Sequence, residues 1–264
     1  MGFKKIVKSI FSDKLISRIT GISYGWRGNY SSWNIAKAKC RGYDEKIILD
    51  KVFINASKVK NGEVPYERDG VTFEKIEYSF PVLAGLLWMA GQNKNKLNVL
   101  DFGGSLGTSY YQNLFFLNSL SEVNWCIVEQ QHFVKTGTES FADNRLHFLN
   151  SIDECLKLYN INAVLLSGVV QYLEKPYDLL NEIISKQIQY IFIDRTLFIE
   201  QKNDRLTIQK VPSKIYQASY CCWFLSESKF LNLISEHYDL IFDFDIDENI
   251  NIRSLYKGYF FKLK

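Results

Sequence analysis

Residues 97 to 107, Leu-Asn-Val-Leu-Asp-Phe-Gly-Gly-Ser-Leu-Gly, set a carboxylate and a cluster of small residues directly after a short apolar run. The chemistry open to that arrangement is the cradling of a polar ligand. Glycine lacks a Cβ and accepts positive φ, so the backbone at Gly103, Gly104 and Gly107 can turn sharply and approach a bound molecule. A helix expected from Leu106 to Leu120 aims its free N-terminal amides at the same place and favours a carboxylate or phosphate there. A second acid, Glu129, closes the next apolar run, which starts at Asn124. Beside such a turn it can accept hydrogen bonds from both hydroxyls of a ribose. The spacing argues against the dinucleotide fingerprint G-x-G-x-x-G, because Ser105 and Thr108 fall where its second and third glycines belong, and leaves a nicotinamide-dependent sugar enzyme as a weaker alternative.

Two later runs also end in polar groups. Ser167 follows Ala163 to Leu166, and Asp194 with Arg195 closes the run expected at 189 to 194. In a parallel α/β sheet these positions face one crevice outside the carboxyl ends of the strands. Asp194 could accept a proton from a hydroxyl, and Arg195 could hold a phosphate or carboxylate at two points. Alternatively, the pair forms a salt bridge or caps the loop that follows. Tyr172 and Asp194 are the candidate bases, and His132 is expected nearer the ribose. Residues 196 to 223 are expected to be a loop, bearing Asp204, Arg205, Lys210, Tyr216, Tyr220 and Trp223.

These groups need a frame. Strands are expected at 97 to 102, 124 to 129, 146 to 149, 162 to 167, 189 to 194, 238 to 244 and 256 to 263. Helices are expected at 106 to 120, 131 to 141, 152 to 159, 176 to 187 and 226 to 236. Such alternation implies right-handed crossovers and a mainly parallel sheet covered by helices on both faces. Asp245 to Arg253 is too short for a helical crossover, so the last two strands form an antiparallel hairpin at one edge. Upstream, Asp44 caps a helix reaching about Lys60, and a second helix is expected from Thr72 to Gly91, kinked at Pro81 and carrying Tyr78. The chain thus divides into a helical, aromatic-rich N-terminal appendage (1–71) and a main domain (72–264).

Composition narrows the classes. The 32 basic and 29 acidic residues are spread along the chain, which does not point to nucleic acid. Five cysteines in no C-x-x-C spacing and three unpaired histidines argue against a disulfide framework, a zinc site or other metal. No apolar run approaches the roughly 18 residues of a membrane span, and lysines interrupt every candidate signal-peptide core. A cytoplasmic protein is expected. Residues 2–19 place Phe3, Ile6, Val7 and Ile10 on one side of a helix, with Lys4, Lys5, Lys8 and Lys14 elsewhere. That basic amphipathic helix either touches the inner membrane surface or packs on the domain.

Taken in order, Asp101-x-Gly103-x-Ser105-x-Gly107, Glu129, and Ser167-Gly168-Val169-Val170-Gln171-Tyr172-Leu173-Glu174-Lys175-Pro176 resemble the class I S-adenosylmethionine-dependent methyltransferases. The resemblance covers about residues 72 to 264. It implies a Rossmann-like α/β fold, a seven-stranded mainly parallel sheet with an antiparallel edge hairpin, and S-adenosylmethionine as cofactor. It also implies that Asp101, Gly103, Gly104, Ser105 and Gly107 lie under the methionine part, Glu129 on the ribose, and Ser167 to Tyr172 beside the sulfonium. Tyr78 is counted with the cofactor contacts, and Asp194, Tyr172 and Arg195 with the catalytic groups. The chain departs from the pattern at Ser105, where glycine is usual, and at Gln171, where histidine is frequent. Gly28 to Trp33, Tyr66 to Asp69, Ile193 to Thr196 and Asp204 to Pro212 further resemble a bacterial group of methyltransferases associated with surface-polysaccharide loci. That implies a saccharide or nucleotide-sugar acceptor methylated on oxygen or nitrogen. The competing expectation is a non-catalytic member serving as a binding or scaffold module in an assembly complex.

Overall fold

The computed structural model describes residues 24–40, 45–211 and 218–264, so the expected helix at 2–19, the Asp44 cap and Tyr216 lie outside the described residues. In chain order, the strands are β1 (Gly25–Tyr30), β2 (Tyr66–Arg68), β3 (Val71–Phe73), β4 (Lys96–Phe102), β5 (Glu122–Val128), β6 (Leu146–Leu149), β7 (Ala163–Ser167), β8 (Tyr190–Ile199), β9 (Arg205–Lys210), β10 (Ser219–Ser226), β11 (Tyr238–Asp245) and β12 (Leu255–Leu263). The helices are α1 (Trp33–Lys37), α2 (Glu45–Lys60), α3 (Phe80–Gln92), α4 (Thr108–Leu117), α5 (Gln131–Ser140), α6 (Ile152–Leu158), α7 (Pro176–Ser185) and α8 (Glu227–Ser235).

Five parallel strands in the order β6-β5-β4-β7-β8 form the centre, and β12 then β11 extend it antiparallel. Strands buried on both faces need apolar residues at successive positions, which is why their segments stand out as continuous runs. Leu97, Val99 and Trp125 pack under α2 to α5, whereas Leu100, Cys126 and Val128 face α6 to α8 on the other side. Strand order reverses between β4 and β7, the point outside whose carboxyl ends open α/β sheets bind their ligands.

The sheet is larger than expected, with ten strands. β8 outruns β7, and its far half pairs in parallel with β10 through Phe198–Leu225 and Ile199–Ser226. β10, β9 and β1 then continue antiparallel. The segment expected as a loop at 196–223 is therefore largely β-structure. So is part of the N-terminal third expected to be helical: it supplies β1 and the separate hairpin β2–β3. The helix expected from Thr72 begins at Phe80. Pro81 stands in its first turn, where a missing N–H leaves no bond unmade, so it starts that helix rather than kinking it. Among the described residues, no helix is long and apolar enough to cross a membrane, and no three His, Cys, Asp or Glu side chains are grouped to hold a metal.

Candidate functional site

The glycine turn forms one wall of the crevice. Gly103 N–H donates to the Val128 carbonyl at 2.9 Å, which fixes the start of the turn beside the end of β5. Gly103, Ser105 and Gly107 take φ of 73°, 55° and 101°, so three of five residues are left-handed. Ser105 thus adopts the conformation a glycine would, at a strain of roughly 1–2 kcal/mol. Its N–H donates to Glu129 Oε1 at 3.3 Å, and Gln130 N–H donates to Oε2 at 2.9 Å. The turn and the acid after β5 are therefore one unit. Gly104 lies so close over Asp101 that a Cβ there would sit 2.6 Å from the carboxylate.

Asp101 is 1 % exposed and accepts the Trp125 indole N–H at 3.0 Å. Burial pushes its carboxyl up to about 7; the indole bond pulls the other way, and the charges of Glu129 and Asp194 add to the rise. Burial also raises Glu129, opposed by the two backbone N–H groups it accepts and by His132. His132 opens α5 beside Glu129, with its buried Nε2 unpartnered.

A β-bulge builds the opposite wall. Ile193 pairs with Tyr259 and Thr196 with Lys257, so Asp194 and Arg195 together oppose the single residue Gly258. Arg195 takes φ 54°. An extra residue of this kind re-aims the side chains on either side of it. Asp194 sits level with Ser167 at the end of β7, accepts its hydroxyl at 2.7 Å through Oδ2, and leaves Oδ1 buried without a partner. Burial raises the Asp194 carboxyl against the pull of Ser167, Arg195 and Arg68. The loop after β7 is held to this bulge: Gly168 N–H donates to the Asp194 carbonyl at 2.9 Å, and the Gln171 amide to that of Arg195 at 3.0 Å. Gln171, at the position where the sequence departs from the pattern, thus fastens loop to strand.

A third side of the site was not legible as such. β2 and β3 form a tight hairpin around Asp69 (φ 53°) and Gly70 (φ 72°), and Asp-Gly between alternating residues is the signal that could have revealed it. Glu67, 3 % exposed, accepts Gly70 N–H at 2.7 Å and the Thr108 hydroxyl at 3.2 Å. It therefore latches the hairpin to the first residue of α4, immediately after the glycine turn. Burial pushes its carboxyl up to about 7. The hairpin also brings Asp69 and Tyr66 within electrostatic reach of Arg195, and Arg68 within reach of Asp194.

Asp101, Gly103, Gly104, Ser105, Gly107 and Glu129 come together on one wall, and Ser167, Asp194 and Arg195 on the other. Two candidates are engaged elsewhere. The Tyr172 hydroxyl donates to Gln209 at 2.7 Å, and its ring packs edge-on against Tyr220, which ties the post-β7 loop to the added strands β9 and β10. Tyr78 packs on Phe80 and Phe116. Phe116 lies eight residues along α4 from Thr108.

No protein-family model and no curated protein matches the sequence. Solved structures do resemble the fold. The N-terminal domain of EvdMO1, in the presence of SAH and D-fucose, matches with a TM-score of 0.50 and 13 % identity, covering 85 % of this chain and 100 % of that one. A SAM-dependent methyltransferase from Methanosarcina mazei gives 0.49 at 9 % identity, covering 69 % and 97 %. The glycopeptide N-methyltransferase MtfA complexed with sinefungin gives 0.46 at 9 % identity, covering 69 % and 94 %. At such identities the likeness concerns architecture, and the first of these carries it. The chain has the Rossmann-like fold of class I methyltransferases.

Proposed function

We propose that this protein binds S-adenosylmethionine in the crevice between β4 and β7 and transfers its methyl group to an oxygen or nitrogen of a small, saccharide-linked acceptor. The observation that carries the reading is the joining of the left-handed turn at 103–107 to Glu129 through Ser105 N–H, with the buried Asp101 beneath it. The charges of Glu129 and Asp194 both reach Asp101 and raise it, and a cationic ligand relieves that repulsion. The residues fit the cofactor. Glu129 retains lone pairs for ribose hydroxyls beyond the two N–H groups it accepts, and Asp101 faces the turn from below. When bound, the cofactor supplies an activated methyl group on a sulfonium, so the protein need only align a nucleophile and remove its proton. Asp194 suits the proton removal, because its carboxyl is raised by burial and Oδ1 has no competing donor. The loop at 167–172 packs on β10 through Tyr172 against Tyr220. The resemblance of the hairpin, the bulge and β9 to proteins of surface-polysaccharide loci supports a sugar or nucleotide-sugar acceptor in such a pathway.

Calorimetric titration with S-adenosylhomocysteine tests the site. Wild-type protein binds, and Glu129→Ala loses roughly ten- to a hundredfold, the worth of one charge-assisted hydrogen bond or two. Equal affinity in both proteins removes Glu129 from the site, and no binding by the wild type removes the reading.

A further inference from the structure

Asp194 and Arg195 leave two complementary needs in the crevice. Asp194 is 4 % exposed, and its Oδ1 lacks a donor. Arg195 lies beside it, partly buried, yet among the described residues no carboxylate comes within ion-pair distance of its guanidinium. Asp69 and Asp194 act on it from farther off, and the Tyr256 hydroxyl on β12 lies alongside. Gly168 packs alongside, where a Cβ would meet Arg195 Cβ at 3.9 Å and Nε at 4.0 Å in ordinary van der Waals contact. A second guanidinium, Arg68, reaches the same neighbourhood from the hairpin. Its only ion pair among the described residues, to Glu77, is long at 3.5 Å, with the Arg68 side chain 25 % exposed and that of Glu77 46 % exposed.

A guanidinium presents five N–H donors in a fixed fork that matches two oxygens of a phosphate or carboxylate. Such a cation, drawn out of water with no ion-paired partner, is expensive to maintain unless an anion completes it. We infer that the acceptor carries an oxyanion, held by Arg195 with help from Arg68, next to the hydroxyl or amine that faces Asp194 Oδ1. This rests on the methyl-transfer reading for the word acceptor, but the anion site stands on its own geometry. A neutral sugar satisfies the carboxylate and leaves the arginine unmatched. A phosphosugar, a nucleotide-linked sugar or a sugar acid satisfies both. The bulge explains why the two side chains serve one ligand: it turns consecutive residues of β8 toward the same space.

Phenylglyoxal labelling of the full chain, mapped by mass spectrometry, tests the inference with inorganic phosphate, glucuronate and glucose as separate probes. Arg145 and Arg205, whose guanidiniums bond to Asn118 and to the Gly28 carbonyl, serve as internal references. Phosphate or glucuronate is expected to slow labelling of Arg195 by about tenfold, as a two-point charge-assisted contact would, while glucose leaves it unchanged. Protection by phosphate alone indicates a phosphorylated acceptor, and by glucuronate alone a carboxylate. Protection by all three probes or by none overturns the inference, as does an Arg195 that is not labelled at all. A parallel titration of Arg195→Gln with phosphate must show the corresponding loss of affinity. Calorimetry with S-adenosylhomocysteine on the same protein separates the two readings. Cofactor binding without anion protection sinks the anion site alone, and the reverse result sinks methyl transfer alone.

Discussion

The two walls of the crevice are built in different ways. The wall at the glycine turn is continuous in sequence: β4, the turn, α4, β5 and Glu129 lie within residues 96–129, joined by hydrogen bonds such as Gly103 N–H to the Val128 carbonyl and Ser105 N–H to the Glu129 carboxylate. The wall at the bulge is assembled from distant pieces, namely the hairpin at 66–73, the bulge at 194–195, and Tyr256 on β12. The contrast teaches where each kind of specificity resides. A wall made of one βαβ unit can be held constant by local geometry, whereas a wall made of bulges and inserted strands can be rebuilt without disturbing it.

The variant expected to separate the walls most widely is Gly103→Val. It forces a β-branched side chain into φ 73°, with its Cβ 2.6 Å from Val169, and affinity for S-adenosylhomocysteine should fall roughly a hundredfold or more. Arg195→Gln should leave that affinity within about twofold. Equal damage from both would erase the distinction between the walls.

A pH series sharpens the comparison next. Asp101, raised to about 7, is partly protonated below that pH and ionised above it. Affinity for S-adenosylmethionine should therefore climb as pH rises from 6 to 8, by at most about tenfold per unit, and flatten in Asp101→Asn. Stability of the free protein has the opposite slope. Carboxyls raised above their unfolded values favour the folded state at low pH, and this contribution from Asp101 and Glu67 is lost as pH rises toward about 7. Urea denaturation at pH 5 and pH 8, with Glu67→Gln and Asp101→Asn alongside, measures both parts.

Glu67→Gln also tests the latch between the walls. It keeps the shape but cannot accept both the Gly70 and Thr108 donors through carboxylate oxygens, a loss of about 1–3 kcal/mol. Faster amide exchange confined to residues 66–73 is the expected signature; uniform destabilisation would make Glu67 an ordinary core residue. The smallest effect belongs to Ser105→Gly, which relieves the strain at φ 55° and should stabilise the protein by about 1 kcal/mol or less with cofactor affinity retained.

Legibility followed the same division. The strands expected at 97–102, 124–129, 146–149 and 162–167 are apolar because both faces are covered, so their existence could be read directly, together with Asp101, the turn and Glu129. Asp194 and Arg195 read as the end of a strand at 189–194, whereas β8 runs on to Ile199 and the two sit at a bulge inside it; that bulge depends on pairing with β12, 64 residues downstream of Arg195 at Tyr259, and leaves no local trace. β9 passed for loop because Arg205, Gln209 and Lys210 flank its short apolar core and one of its partners lies far away at Gly25–Tyr30, while β10 pairs with β9 and with the far end of β8. The hairpin did have a local signal in Asp69-Gly70, outweighed by the helical look of the segment that follows it. Ser105 departs from the family pattern in residue type, yet it keeps the left-handed backbone and donates its N–H to Glu129, so it gives no reason to regard the turn as lost.

Hydrogen exchange with and without S-adenosylhomocysteine tests the central claim most directly. Binding at the wall of the glycine turn predicts slowed exchange in residues 101–108, 128–132 and 167–173, with α6 on the far face unchanged. Protection absent from 101–108, or appearing elsewhere instead, would contradict the assignment of this crevice as the cofactor site.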